Sequence, residues 1–133
     1  MTANQKTMLL DSHVLLWFTA GSPKLGKNAL RRIERAHQLH YSSLSALELG
    51  IKSVDGKLNL PKNYFASLKA AGFLEVQFDS DYATELTTMQ GLIGHDPIDR
   101  GIVATAMSAN MPLITADRRI LALKLPFVFD AQD

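Results

Sequence analysis

The sequence predicts an α/β fold, a three-layer α/β/α sandwich around a mainly parallel five-stranded sheet. Five short apolar runs alternate with helical patterns along the chain, which is typical of parallel sheets covered by helices on both faces. The 133 residues fit one domain, and 47% of them are hydrophobic, enough to form a substantial core. Because no repeat, low-complexity tract or linker interrupts the pattern, we predict a single domain over 1–133, with 1–6 loose.

The first strand and helix are defined by an apolar run and the residues that bound it. Residues 7–11, TMLLD, form a short apolar run that ends in an acid, which is typical of a buried strand. Ser12 is a suitable N-cap for the next helix and Gly21 a suitable stop. Residues 22–37 then place apolar side chains on one face and Lys and Arg on the other, which predicts a half-buried helix.

The rest of the chain continues the alternation. Helical periodicity predicts helices, and short apolar runs bounded by turn residues predict strands. In order, these elements are a strand at 39–43, helices at 45–58 and 61–72, a strand at 73–79, helices at 80–92 and 97–109, a strand at 111–117, a short helix at 118–123 and a strand at 126–130.

Composition narrows the class of protein. The formal net charge is +1 and cysteine is absent, so disulfides and thiolate metal sites are excluded. No apolar run approaches the roughly 20 residues that a membrane-spanning helix needs, and the first residues lack the apolar core of a signal peptide. We therefore expect a cytoplasmic prokaryotic protein without a membrane partner.

Two carboxylates stand three residues apart in the segment HDPIDRGIVATA, at Asp96 and Asp99. Asp96 is a suitable N-cap with Pro97 in the first helical position, and Asp99 would then complete a capping box. The alternative is that a carboxylate here belongs to a functional site.

Other acids are expected at the same edge of the sheet. Asp11 ends the first strand and Asp117 follows the fourth. In doubly wound sheets these two strands can be neighbours where the strand order reverses, and sites lie at the carboxyl ends of the strands there. The helix that begins near Asp99 leads into the fourth strand, so its first turn should point to this edge as well.

Glu48 lies on an apolar helix face, with Leu44 four residues before it and Ile51 three after it. A buried glutamate needs a partner. Lys52 at i+4 is one explanation, and a metal ion is the other. Several carboxylates in one pocket repel each other and need a cation, and all-oxygen ligation suits Mg²⁺ or Mn²⁺.

Four segments in this order, LLDSHVLLWFTAG, SSLSALELGIKSVDGKL, HDPIDRGIVATAM and MPLITADRRI, resemble the signature segments of PIN-domain ribonucleases, and especially of VapC-type toxins. The resemblance extends from residue 8 to about 129. It implies the α/β/α sandwich, endonucleolytic cleavage of RNA dependent on Mg²⁺ or Mn²⁺, dimerisation, assembly into a higher toxin–antitoxin complex and neutralisation by a cognate antitoxin.

The resemblance also implies roles for particular residues. The catalytic, metal-binding acids would be Asp11, Glu48, Asp99 and Asp117, with Glu48 binding directly or through water and with one or two ions bound. Asp96 and Thr115 would be auxiliary. Gly50 replaces a bulkier or Ala-like residue of the family, which should loosen its helix by about 1 kcal/mol relative to Ala.

Four cations near the acids in sequence are candidates for RNA phosphate contacts, with ordinary surface charge as the alternative. His13 and His95 invite a general-base role, but we interpret both as structural. The four cations are Lys52, Arg100, Arg118 and Arg119.

The first predicted helix has four consecutive large apolar residues at 15–18. These cover too much of the helix circumference to face one core. An outward Trp17 or Phe18 would line a groove for the antitoxin or a dimer partner, where aromatic side chains are effective anchors. The alternative is a helix packed on both sides.

Two other functions share this fold class. A phosphoacceptor receiver domain would need an acidic pair after the first strand and a Lys after the fifth, where this chain has Asp11-Ser12-His13 and DAQD. A non-catalytic PIN-fold interaction module would keep the fold without cleaving RNA. Metal titration and an RNA digestion separate these alternatives from a nuclease.

Overall fold

The computed structural model describes residues 6–133 and contains five strands and seven α-helices over that range. A short 3-10 helix, Gln90–Leu92, follows the fifth α-helix. The elements are β1 (Thr7–Leu10), α1 (Ser12–Ala20), α2 (Lys27–Arg35), β2 (Gln38–Ser42), α3 (Ser43–Val54), α4 (Tyr64–Ala70), β3 (Leu74–Val76), α5 (Ser80–Leu86), α6 (Pro97–Ser108), β4 (Leu113–Thr115), α7 (Arg118–Leu121) and β5 (Val128–Asp130).

The strands form one parallel sheet in the order β3-β2-β1-β4-β5. Chain order therefore reverses between β1 and β4, where Leu9 pairs with Leu113 and Leu10 with Ile114. This confirms the predicted parallel sheet and the predicted adjacency of the first and fourth strands. It also fixes the edge where sites form in such folds.

Two hydrophobic clusters cover the two faces of the sheet. Adjacent residues of a strand point to opposite faces, so Leu10 packs with Ile33 of α2 and Leu68 of α4, whereas Leu9 packs with Ile102 of α6. Helices thus lie on both faces, which confirms the three-layer sandwich. No helix in the described part of the chain is long and apolar enough to cross a membrane.

Several helix boundaries differ from the prediction. Asp11, and not Ser12, is the N-cap of α1, because its carboxylate accepts the Ser12 N–H. Asp79 likewise caps α5 in place of Ser80 or Asp81. The second helix begins at Lys27 and not at Ser22, because the chain's last residues pack against its first turn.

Residues 1–5 of the segment predicted to be loose lie outside the described residues. Lys6 is held in place, which corrects the prediction for that residue. Its backbone carbonyl accepts hydrogen bonds from the N–H groups of His37 (2.9 Å) and Gln38 (2.8 Å), so pairing with the β2 segment begins before β1 itself.

Candidate active site

A cleft of about 560 Å³ opens beside β1 and β4, at the point where the strand order reverses. Its walls come from four helices and the turns that precede them, so side chains distant in sequence meet there. The acids among its lining residues are Asp11, Glu48, Asp96, Asp99 and Asp117. The structure therefore brings together all four predicted catalytic acids and Asp96.

Asp11 is held rigidly at the end of β1 and is 7% exposed. One carboxylate oxygen accepts the Ser12 N–H (2.8 Å) and the other accepts the Thr115 hydroxyl (2.6 Å). Thr115 in turn accepts the Asp117 N–H (3.1 Å). Burial raises the pKa of Asp11, and the two hydrogen bonds partly offset that effect. Thr115 thus holds the Asp11 carboxylate in place, and its auxiliary role stays a prediction.

Each carboxylate oxygen of Glu48 has a partner, Lys52 for one and Ser12 for the other. Lys52, one turn later on α3, forms an ion pair with it at 2.9 Å. The Ser12 hydroxyl donates to its other oxygen (2.7 Å) and lies 2.9 Å from the buried Ser45 hydroxyl. Ser12 therefore contacts Asp11 through its backbone and Glu48 through its side chain, a link that sequence reasoning missed.

The two acids of the HDPID segment have different roles. Asp96 caps α6, because its carboxylate accepts the N–H groups of Ile98 (2.9 Å) and Asp99 (3.3 Å). Asp99 faces the cleft. Gly101 lets α6 approach α3 closely, since a Cβ there would overlap Leu44. This close packing helps to bring Asp99 and Glu48 to one cleft.

Asp99 is surrounded by other acids, and ionisation of its carboxyl group is therefore unfavourable. Burial, Asp11 and a hydrogen bond shared with Asp117 raise the pKa of Asp99 to about 8. Neighbouring carboxylates that cannot all be ionised together retain a proton. Asp117 also caps α7 by accepting the N–H groups of Arg119 and Ile120.

The donor set fits a hard divalent cation. Every acid in the cleft offers carboxylate oxygens, which are the ligands that Mg²⁺ and Mn²⁺ prefer, and the proton retained near neutral pH marks where positive charge is needed. Within residues 6–133, no three Asp, Glu or His side chains already stand at the spacing of a formed metal site. The carboxylates surround the cleft without closing on one point.

The four predicted RNA-contacting cations are divided by the structure. Lys52 and Arg118 line the cleft. Arg118 forms a two-point ion pair with Asp130 (2.9 and 2.6 Å) and also donates to Gln132 (3.1 Å). Arg119 and Arg100 are not among the residues that line the cleft. Arg119 donates a long bond (3.5 Å) to the Gly94 carbonyl.

The two aromatic residues of α1, Trp17 and Phe18, line different cavities. Trp17 lines the acidic cleft, whereas Phe18 lines a separate apolar groove against α4 and lies 6.3 Å from the Phe73 ring. His13 is exposed and lines the cleft, so it is not a packed core residue, and its lack of a general-base role stays a prediction. The i, i+4 spacing of His13 and Trp17 was the signal in the sequence that the two side chains share one face of the helix.

The chain is an α/β protein with a parallel sheet and helices on both faces. A cleft lined by carboxylates lies where the strand order reverses, and we predict that it binds a cation. Residues 8–125 match the PIN domain family model, and the chain belongs to the PIN domain family. It is 30% identical over 122 residues to Ribonuclease VapC22 of Mycobacterium tuberculosis (strain ATCC 25618 / H37Rv), covering 90% of this chain and 94% of that protein.

Solved structures have the same fold. A toxin-antitoxin complex from Klebsiella pneumoniae matches with a TM-score of 0.63 and 18% identity, over 92% of this chain and 95% of that chain. VapBC2 from Rickettsia felis, bound to a DNA fragment from its promoter, matches with a TM-score of 0.65 and 12% identity, over 93% of this chain and 98% of that chain.

Proposed function

We propose that this protein is a metal-dependent endoribonuclease of the VapC type and the toxin of a toxin–antitoxin pair. The observation that carries the proposal is the carboxylate cleft at the switch point of a PIN domain, in a chain related to a ribonuclease over nine-tenths of its length. The proposed location is the cytoplasm of a prokaryote, because the similar ribonuclease and toxin-antitoxin complexes come from bacteria.

The proposed cofactor is Mg²⁺ or Mn²⁺, held by Asp11, Asp99, Asp117 and, directly or through water, Glu48. When bound, such an ion polarises a phosphate oxygen and makes hydroxide available near neutral pH. Thr115 and the Ser12 N–H hold Asp11 in one orientation, which limits the reorganisation needed on binding. Asp99 must release its proton to become a ligand.

Glu48 is proposed to orient the attacking water. Its carboxylate is fixed on one side by Ser12 and on the other by Lys52, so it can accept a hydrogen bond in a defined direction. Lys52 and Arg118 are the proposed phosphate contacts, because both line the cleft. We keep Arg100 and Arg119 as weaker proposals for more distant phosphates.

An antitoxin and a second copy of the chain are the proposed protein partners. The two structural neighbours are a toxin-antitoxin complex and VapBC2 bound to a promoter DNA fragment. The predicted contact of Phe18 fits the apolar groove that this residue lines with Leu16, Pro61 and Tyr64. A protein contact at Trp17 stays the alternative to an RNA contact there, because Trp17 lines the acidic cleft and not this groove. Antitoxin-free protein should elute as a dimer.

The receiver-domain alternative does not fit the fold. In receiver domains the first strand has the third as its neighbour at the switch point, whereas β1 here lies beside β4. The non-catalytic PIN module differs from a nuclease only in activity. Cleavage of RNA is therefore the property that decides between them.

The first test compares Asp99→Asn with Asp96→Asn in RNA cleavage with Mn²⁺. Asp99→Asn should abolish cleavage, because it removes a ligand charge from the cleft. Asp96→Asn should lose only part of the activity, since Asn also caps helices well. Equal and complete losses would make Asp96 a central ligand, and full activity of Asp99→Asn would refute the site. Wild-type protein without cleavage would indicate the non-catalytic module.

A further inference from the structure

The wall of the cleft formed by α1 carries two side chains that the proposed chemistry does not use. His13 and Trp17 are one helical turn apart and so share a face, and both line the cleft beside Asp11. His13 is exposed and Trp17 partly exposed, whereas Val14 and Leu15 between them are fully buried. An aromatic surface therefore faces the space next to the acids.

Trp17 is separated from its apolar neighbour Phe18 by the turn of the helix. Phe18 packs toward Phe73 and the groove beside α4, where the lining is mostly apolar. Trp17 instead shares its cavity with carboxylates and cations. A protein segment with apolar side chains fits the groove at Phe18, whereas a polar ligand with a flat aromatic face fits the cleft at Trp17.

One cation contacts the Trp17 ring and two more line the cleft that it faces. The Lys24 ammonium lies 5.9 Å from the ring centroid, within the range of a cation–π contact. Lys52 and Arg118 line the same cleft. A nucleotide needs this combination, because its base stacks on an aromatic ring while its phosphate pairs with a nearby cation.

We infer that Trp17 is a stacking surface for an unpaired base of the RNA, next to the phosphate that is cleaved, and that Lys24 contacts the adjoining backbone. The inference rests on the proposed function and adds to it a residue that contacts the RNA. Duplex RNA hides both faces of each base within the stack, so the site selects single-stranded RNA or an unpaired loop.

The chain has a single tryptophan, so its intrinsic fluorescence reports on Trp17 alone. We would titrate the full-length Asp99→Asn protein, which should not cleave, with a short single-stranded RNA of mixed sequence in millimolar Mg²⁺. Saturable quenching is expected with this RNA. The same RNA annealed to its complement should quench far less.

Substitutions separate stacking from packing. Trp17→Leu keeps apolar bulk without a ring and should weaken binding of end-labelled single-stranded RNA on the order of 10-fold, measured by anisotropy, whereas Trp17→Phe should retain most of the affinity. In the nuclease background, Trp17→Leu should raise KM and leave kcat nearly unchanged. Tyr82→Ala is the matched control, since this partly exposed aromatic on α5 contacts Phe78 away from the cleft.

The outcomes distinguish the inference from the function on which it rests. RNA that binds and is cleaved without any change in Trp17 fluorescence, together with wild-type affinity of a folded Trp17→Leu protein, would refute stacking and leave the nuclease intact. Loss of antitoxin binding with unchanged RNA binding would make Trp17 a protein contact and also refute it. A wild-type protein that neither binds nor cleaves RNA would remove both proposals.

Discussion

Asp99 is the residue at which the site's chemistry and the protein's stability conflict. It lies beside Asp11 and Asp117, and burial with these neighbours raises its pKa to about 8. In the unfolded chain its pKa returns to an ordinary value near 3.8. Between those two values the folded, metal-free protein holds a proton that the unfolded chain has released.

The first stability prediction follows from that difference. Because the native state binds more protons than the unfolded state, the free energy of unfolding falls as pH rises from about 4 toward 8. The contribution of Asp99 is fully present below its unfolded pKa and is lost as pH passes its folded pKa. Asp99→Asn should therefore be more stable than wild type in EDTA, by a margin that grows over this range.

Urea denaturation at several pH values measures that margin. Asp81→Asn, on the exposed first turn of α5, leaves Asp99 in place and should keep the wild-type pH dependence. A constant difference between wild type and Asp99→Asn across pH 4 to 8 would show that Asp99 does not hold the extra proton.

The sequence was enough to place the acids at one edge of the sheet. Sites in parallel sheets lie at the carboxyl ends of the strands, and the hydrophobic pattern shows where each strand ends. Sequence reasoning also offered Lys52 as a partner of Glu48, since i+4 spacing is local. It missed Ser12 as the link between Asp11 and Glu48, because that contact joins α1 to α3. Contacts of this kind depend on how two helices pack, which the pattern of a single helix does not encode.

At the scale of an element, α2 shows why helix ends are difficult to predict. Its apolar and basic faces were visible in the sequence, but its start was not. The N–H groups of Asn28 and Ala29 donate to the Asp133 backbone carbonyl (3.0 and 3.2 Å), and Gly26 donates to Ala131 (2.8 Å). The helix thus begins where a segment about a hundred residues away in sequence supplies acceptors for its first turn.

Gly26 permits this contact, and its substitution gives the second prediction. A Cβ at position 26 would overlap the Asp133 backbone, which cannot yield as a flexible side chain does. Gly26→Ala should therefore lower the free energy of unfolding by about 1–3 kcal/mol, measured by urea denaturation.

Gly50→Ala is the matched control, because it adds the same methyl group to α3 where nothing lies within 4 Å of the new Cβ. Relief of the glycine's backbone entropy should raise stability there by about 1 kcal/mol. Equal effects of the two substitutions would mean that the contact at Gly26 does not constrain the fold.

At the scale of the whole molecule, the cleft joins elements that are otherwise far apart in the chain. Asp11 follows β1, Glu48 lies on α3, Asp99 lies on α6 and Asp117 precedes α7. Unfolding separates all four, so an ion that they bind together has a site only in the folded state. Binding that is confined to the native state stabilises the whole domain by mass action.

Millimolar Mn²⁺ should therefore raise Tm. An ion at about 100 times its Kd adds about 2.7 kcal/mol, which corresponds to a shift on the order of 10 °C for a domain of this size. The double variant Asp11→Asn, Asp99→Asn should abolish the shift and raise Tm in EDTA, since it removes two carboxyl groups whose ionisation is opposed by burial and by neighbouring acids. Asp79→Asn with Asp81→Asn removes the same charge from α5, outside the cleft, and should keep the full response. A Tm shift that survives the first pair and disappears with the second would place the ion on the surface of α5, and the cleft would lose its proposed cofactor.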